Sequence, residues 1–139
     1  MQAPSHRPFA ADRHPPGAQA RVDIDLAALA ANWRLLASRV GAAECGAAVK
    51  ADAYGIGLDA AASALERAGC KTFFVAHLSE ALALRRIVPG ARVFLLNGLP
   101  PSGAESLRGD GVRPVLGDLD QLARWRALGG GPCALQIDT

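Results

Sequence analysis

The chain has almost no lysine, few aromatic rings and no long apolar run. Aromatic residues occupy 5% of its 139 positions, with one tyrosine and one methionine. No stretch approaches the roughly 20 consecutive apolar residues that a membrane-spanning helix needs, and the amino terminus lacks a compact apolar signal core. A soluble, cytoplasmic protein is expected. Cys45, Cys70 and Cys133 are odd in number and far apart, without Cys-x-x-Cys or Cys/His spacing. That pattern argues for buried, reduced thiols over a disulfide framework or a metal site. Charge shows no bias either: 15 basic and 13 acidic side chains give a net +2 and form no run or stripe. Nucleic acid has no electrostatic footprint to bind, and a small-molecule partner is expected. Of the 15 basic residues, 13 are arginine and two, Lys50 and Lys71, are lysine. Arginine serves wherever a surface cation is wanted, so each lysine calls for a chemical reason.

What the chain does have is apolar material, 50% of residues, with 29 alanines. That suffices for one core of ordinary domain size, about 100–150 residues. Residues 1–20 hold four prolines and no aliphatic side chain larger than alanine. Such a segment buries too little surface to offset its ordering entropy and reads as a flexible extension. From Arg21 onward, β-compatible runs start near Arg21, Glu44, Lys71, Ala91, Gly111 and Cys133. Helical patterns separate them. Leu26, Leu29, Trp33, Leu36 and Val40 share one helical face behind Asp25, a candidate N-cap. A second pattern spans Leu58 to Ala68 and stops at Gly69. A third follows Ser79 and ends before Pro89, a weak fourth covers Ser102 to Leu107, and a fifth starts at Asp118 with Gln121 three residues on. Six strands alternating with five helices predict an α/β fold with right-handed crossovers over a parallel sheet. The sheet is either open and doubly wound or part of a TIM-type β/α barrel, which usually takes ~250 residues. The last run stops at Asp138-Thr139 with no helix after it. This favours the barrel and the first part of a longer chain.

Both architectures bind ligands at the carboxyl ends of their strands. Those positions are Asp25, Lys50 with the loop Ala51 to Gly57, His77, Asn97, Gly117 and Asp138. Lys50 closes the run Gly46-Ala47-Ala48-Val49, where an ammonium is pushed toward desolvation. A desolvated lysine is an amine nucleophile able to form a Schiff base with an aldehyde or ketone, and arginine cannot do this. The alternative is a lysine that merely snorkels from a strand end. Tyr54 offers a phenol to an anionic group, and Gly55 and Gly57 would let backbone approach closely; a loop tyrosine with turn glycines is the plain reading. As a dinucleotide fingerprint the loop fails, because the third glycine is missing. Asp23 and Asp25 read as a cap and a hydrogen-bonding group, His77 as structural, and His6 and His14 as too isolated to bind metal.

The stretch Ala48-Val49-Lys50-Ala51-Asp52-Ala53-Tyr54-Gly55-Ile56-Gly57 resembles the signature of the alanine racemases, pyridoxal-phosphate enzymes with an amino-terminal β/α barrel. The similarity extends to Val22 through Leu29 with Asn32, to Thr72 through Ala81, to Leu95 through Leu99 and to Ile137-Asp138-Thr139. It covers residues 21–139, read as the first five to six β/α units of that barrel. The resemblance implies that Lys50 holds pyridoxal 5'-phosphate as an imine and, once freed, is the catalytic base on one face of the substrate α-carbon. It implies that Tyr54 hydrogen-bonds the cofactor phosphate. It further implies a homodimer interconverting L- and D-alanine for cell-wall peptidoglycan, with the opposite-face acid a tyrosine of the other subunit's carboxy-terminal β domain. No metal is implied. Ile56 stands where many members have histidine, and Gln136 where some carry a carboxylated lysine that orients a cofactor-contacting arginine. Two other readings stay open: a related pyridoxal-phosphate barrel racemase or decarboxylase acting on another amino acid, or a pyridoxal-phosphate-binding protein without turnover. The 139-residue chain by itself is expected to be inactive.

Overall fold

The computed structural model describes residue 20 and residues 22–137. The expected extension over residues 1–20 therefore lies, but for its last residue, outside the described residues, as do Asp138 and Thr139.

Five strands, β1 (Ala47–Ala48), β2 (Thr72–Val75), β3 (Arg92–Leu95), β4 (Val112–Leu116) and β5 (Ala134–Leu135), lie side by side in chain order. Every neighbouring pair is parallel. A doubly wound sheet reverses its order at a switch point, whereas a barrel wall lays each strand beside the one before. The order β1-β2-β3-β4-β5 has no reversal, so the sheet is a stretch of β/α-barrel wall. The sequence predicts six strands, and the described residues contain five. Residues 22–25 form no strand, and Val22 and Ile24 are 85% and 48% exposed. A strand exists by its ladder, and β1 carries only two residues of pairing, all of it with β2.

Helices cover one face of the sheet. The first, α1 (Leu26–Arg39), starts where the Asp25 carboxylate accepts from the amides of Ala27 and Ala28 at 2.9 and 3.0 Å. It is followed after β1 by a short helical segment α2 (Lys50–Tyr54), treated below, and by α3 (Leu58–Ala68). The alanine-rich face of α3 buries Ala61, Ala62, Ala64 and Leu65. It ends at Gly69, whose φ of +113° suits glycine and whose amide donates to Glu66 O. Next, α4 (Leu78–Ile87) begins one residue before the expected cap Ser79, with His77 in the cap position. The weak fourth pattern settles as α5 (Ser106–Asp110), displaced from Ser102–Leu107 because Gly103 at φ +76° breaks helical geometry there. The last helix, α6 (Leu119–Ala127), opens behind Asp118, which accepts from the Gln121 amide at 2.6 Å.

Under these helices the strand side chains alternate. Phe73, Val75 and Val93 are fully buried and Leu95 nearly so, while Phe74 and Phe94, on the other face, are half-buried and stack with ring centres 5.3 Å apart. Burying each large apolar side chain is worth about 1.5–3 kcal/mol. The fully buried Leu84 and Val88 of the α4 region seal the same core. Because β2 and β3 are held in register from Thr72↔Arg92 to Val75↔Leu95, their carboxyl ends finish level with each other. The segments that follow, beginning at Ala76 and Leu96, open from one edge of the wall.

Candidate functional site

Val49, 2% exposed, extends the β1 pairing by one bond, its amide donating to Phe74 O at 2.9 Å. Lys50 follows directly and is half-buried at the strand's carboxyl end. No hydrogen bond or ion pair holds its side chain among the described residues, although it stands beside a tightly packed core.

The chain then does something that its composition does not announce. Ala51, Asp52, Ala53 and Tyr54 all have positive φ, between 51° and 56°, and the first three have ψ of 44–52°. α2 is therefore a turn of left-handed helix built from four L-residues. Each such residue costs about 1–2 kcal/mol, and such conformations ordinarily occur singly. The strain persists because the surroundings over-determine it. Ala53, 3% exposed, is packed in the core, and its amide donates to Val49 O at 3.0 Å. The Gly55 amide donates to Ala51 O and Asp52 O, and the Gly57 amide to Asp52 O. The Asp52 carboxylate accepts from the Leu58 amide at 2.7 Å, satisfying one of the free donors that begin α3. Gly55 and Gly57 have φ of +84° and +99° with open space where a Cβ would stand. Both glycines therefore meet a backbone requirement that an L-residue rarely satisfies.

A third support comes from 29 residues away. One Glu80 oxygen accepts from the Ala51 amide at 2.6 Å, and the other accepts from Ala76 and His77 at 2.8 and 3.0 Å. Partial burial opposes the charge of this carboxylate, but the amides of His77, Ala51 and Ala76, with the His77 ring nearby, outweigh it. Its pKa accordingly lies below the ordinary glutamate value. The expected site residues gave no hint of Glu80. An acid at the third position of a helix is a recognisable capping signature, yet the bond to Ala51 is visible only in three dimensions.

The other strand ends are placed as follows. His77 and Asn97, after β2 and β3, meet with Nδ1 and Nδ2 3.4 Å apart. Both are exposed. Tyr54 leaves the left-handed turn 64% exposed. Asp25 is spent on capping α1. Gly117 precedes the Asp118 cap, and Gln121, bonded to Asp118 through Nε2 at 2.8 Å, accepts from the Leu99 amide through Oε1 at 2.9 Å. Gln136 is exposed beyond β5, its amide donating to Leu116 O. Asp138 lies outside the described residues. Among the described residues no cluster of His, Cys, Asp and Glu could hold a metal ion.

At the opposite end of the strands a polar cluster ties elements together. Thr72 Oγ1 donates to Glu44 at 2.7 Å, Arg92 Nε donates to Thr72 Oγ1 at 3.1 Å, and Arg92 also pairs with Glu44. The Thr72 hydroxyl and then Arg92 hold the Glu44 pKa below its usual range. The three cysteines are free thiols. The expected burial holds for Cys70, whereas Cys45 is half-buried and Cys133 exposed, because Cys133 precedes a two-residue edge strand with little packed over it.

Comparison with known proteins places this geometry. The family model for the alanine racemase N-terminal domain matches residues 24–139. An alanine racemase of Methylobacterium sp. (strain 4-46) is 54% identical over 125 residues, 86% of this chain and 34% of the relative. A catabolic alanine racemase of Agrobacterium fabrum is 47% identical over 129 residues, 88% of this chain and 33% of the relative. The chain thus spans about a third of the length of these curated relatives. Among solved structures, alanine racemase from Bartonella henselae with covalently bound pyridoxal phosphate superposes with a TM-score of 0.73 at 43% identity, covering 76% of this chain and 30% of that one.

Proposed function

The chain belongs to the alanine racemase N-terminal domain family, and from that premise we propose that residues 21–139 form the first part of the pyridoxal-phosphate-binding β/α barrel of an alanine racemase. Lys50 carries the cofactor. The observation that supports this most strongly is a half-buried primary amine at a strand's carboxyl end, without a partner among the described residues, followed at once by a strained and multiply braced turn. The donor set suits the group: an amine condenses with an aldehyde, and the phenol of Tyr54, exposed on the same turn, can donate to a phosphate.

Bound pyridoxal phosphate supplies the electron sink that lets a substrate lose its α-proton. Lys50 would hold the group through its amine and would take or return the proton on one face of the substrate α-carbon. Tyr54 would hold the phosphate by donating its phenol O–H to it. An acid on the opposite face comes from beyond this chain, from a tyrosine in the carboxy-terminal domain of a second subunit, which makes the enzyme a homodimer. Interconversion of L- and D-alanine in the cytoplasm, supplying D-alanine for peptidoglycan, completes the reading. No helix among the described residues is long and apolar enough to cross a membrane.

The test is Lys50→Arg in the enzyme loaded with cofactor. Arginine keeps the charge and cannot form the imine, so absorbance near the visible edge and racemisation should both disappear. Retained absorbance would sink the assignment of Lys50.

A further inference from the structure

Glu80 joins two elements that the chain order keeps apart. One oxygen takes the amide next to Lys50, and the other takes the two amides that lead from β2 into α4. Capping α4 needs only the second oxygen. The first is directed at a turn whose four left-handed residues gain nothing from local preference and must be held from outside. The Val49 amide fixes the backbone before Lys50 to Phe74 O of β2, and the bond from Glu80 fixes the backbone after it. The turn's own bonds run within residues 49–58.

We infer that Glu80 is the positioning residue for Lys50: its carboxylate clamps the Ala51 amide, holds the left-handed turn against the β2 end, and so sets the direction in which the Lys50 side chain leaves the wall. This inference rests on the reading of Lys50 as the cofactor-bearing lysine. The chemistry of the two oxygens makes it testable by a single isosteric change. Glu80→Gln retains one acceptor oxygen and turns the other into an N–H donor. The oxygen satisfies most when it faces the pair Ala76 and His77, which leaves the new donor against the Ala51 amide. The helix cap survives and the clamp is lost.

The experiment uses the cofactor-loaded enzyme. In Glu80→Gln, hydrogen exchange at Ala51 should rise about tenfold or more, while Ala81 and Leu84 in α4 stay protected. Turnover should fall by about tenfold to a hundredfold, with KM for alanine changed much less, because a misdirected amine costs chemistry more than binding. The pH midpoint of the bound-cofactor absorbance should move as well, which loss of stability alone does not produce. Glu80→Asp, one methylene shorter, keeps the cap and cannot reach Ala51, so it should repeat the pattern if the glutamine variant folds poorly. Wild-type exchange at Ala51 with wild-type turnover in either folded variant overturns the inference. Lys50→Arg separates this from failure of the underlying reading: retained absorbance there refutes the cofactor assignment, whereas its loss beside an unaffected Glu80→Gln refutes only the clamp.

Discussion

Replacing Gly98 by alanine should destabilise the fold by two separable effects. Gly98 sits just past β3 with φ +75°, a region where an L-residue costs about 1–2 kcal/mol. A Cβ built there would lie 2.1 Å from Gln121 Oε1 and 3.0 Å from its Cδ. The Gln121 side chain must therefore move, and it is the acceptor for the Leu99 amide at 2.9 Å. Leu99 is 5% exposed, so its N–H loses a partner with little access to water, at about 1–3 kcal/mol. Against this, alanine restricts the unfolded chain and returns about 0.4–1 kcal/mol. The net expectation is a loss of about 1–5 kcal/mol, or several degrees of melting temperature at this domain size. Gly55→Ala is the internal control: its φ is +84°, but no atom lies within 4 Å of the added methyl, so it carries the backbone cost alone. Denaturant unfolding of wild type, the two alanine variants, Gln121→Ala and the Gly98→Ala/Gln121→Ala pair gives a double-mutant cycle. Gly98→Ala should cost clearly more than Gly55→Ala, and removing Gln121 should erase most of the excess. Equal costs for the two glycines, or strict additivity in the cycle, would refute the steric reasoning.

Acidification probes the two glutamates with lowered pKa. Both contribute stability above the unfolded-state value, for which 4.5 is the ordinary reference, and lose it as pH falls through the lower folded-state value. Melting temperature should therefore drop below about pH 4.5 and do so less steeply in Glu80→Gln; identical pH profiles would contradict this. Thiol labelling at mildly alkaline pH should modify Cys133 quickly and Cys70 only on unfolding, because burial pushes the Cys70 pKa up to about 11. Equal labelling rates for the two would count against the packing around Cys70. The purified 139-residue chain should form no D-alanine from L-alanine even with pyridoxal phosphate added, since in the proposed scheme the second proton-transfer group lies outside it; measurable racemisation would overturn that scheme.

The layout of the wall was legible in the sequence because burial and capping leave local marks. Asp25, Gly69 and Asp118 each stand at the helix boundary their chemistry predicts. The position of Lys50 was legible for a similar reason: a lysine closing an apolar run in an arginine-rich chain is chemically conspicuous. The run starting at Arg21 was read as a strand because its residues are β-compatible, but compatibility is only necessary and pairing makes a strand, which residues 22–25 do not form. The left-handed turn was invisible, since Ala-Asp-Ala-Tyr has no propensity for it and the conformation is imposed by bonds from Glu80 and by burial of Ala53. Glu80 itself looked like an ordinary helix-start acid. Contacts at long sequence separation leave no periodic trace.

The bond between Glu80 and Ala51 also orders events during synthesis. A ribosome adds residues at about 5–20 per second and amino-terminal segments fold first. Lys50 emerges with its own strand, but the carboxylate inferred to orient it belongs to the following β/α unit, 29 residues after Ala51. Until β2 has docked and α4 has formed, the turn has only its bonds within residues 49–58 and lacks the one that fixes the Ala51 amide against the β2 end. If Lys50 is the cofactor-bearing lysine proposed above, its amine gains a defined direction only once enough of the wall exists to receive that cofactor. Any excised piece meant to display Lys50 in its working pose must extend at least through Ile87.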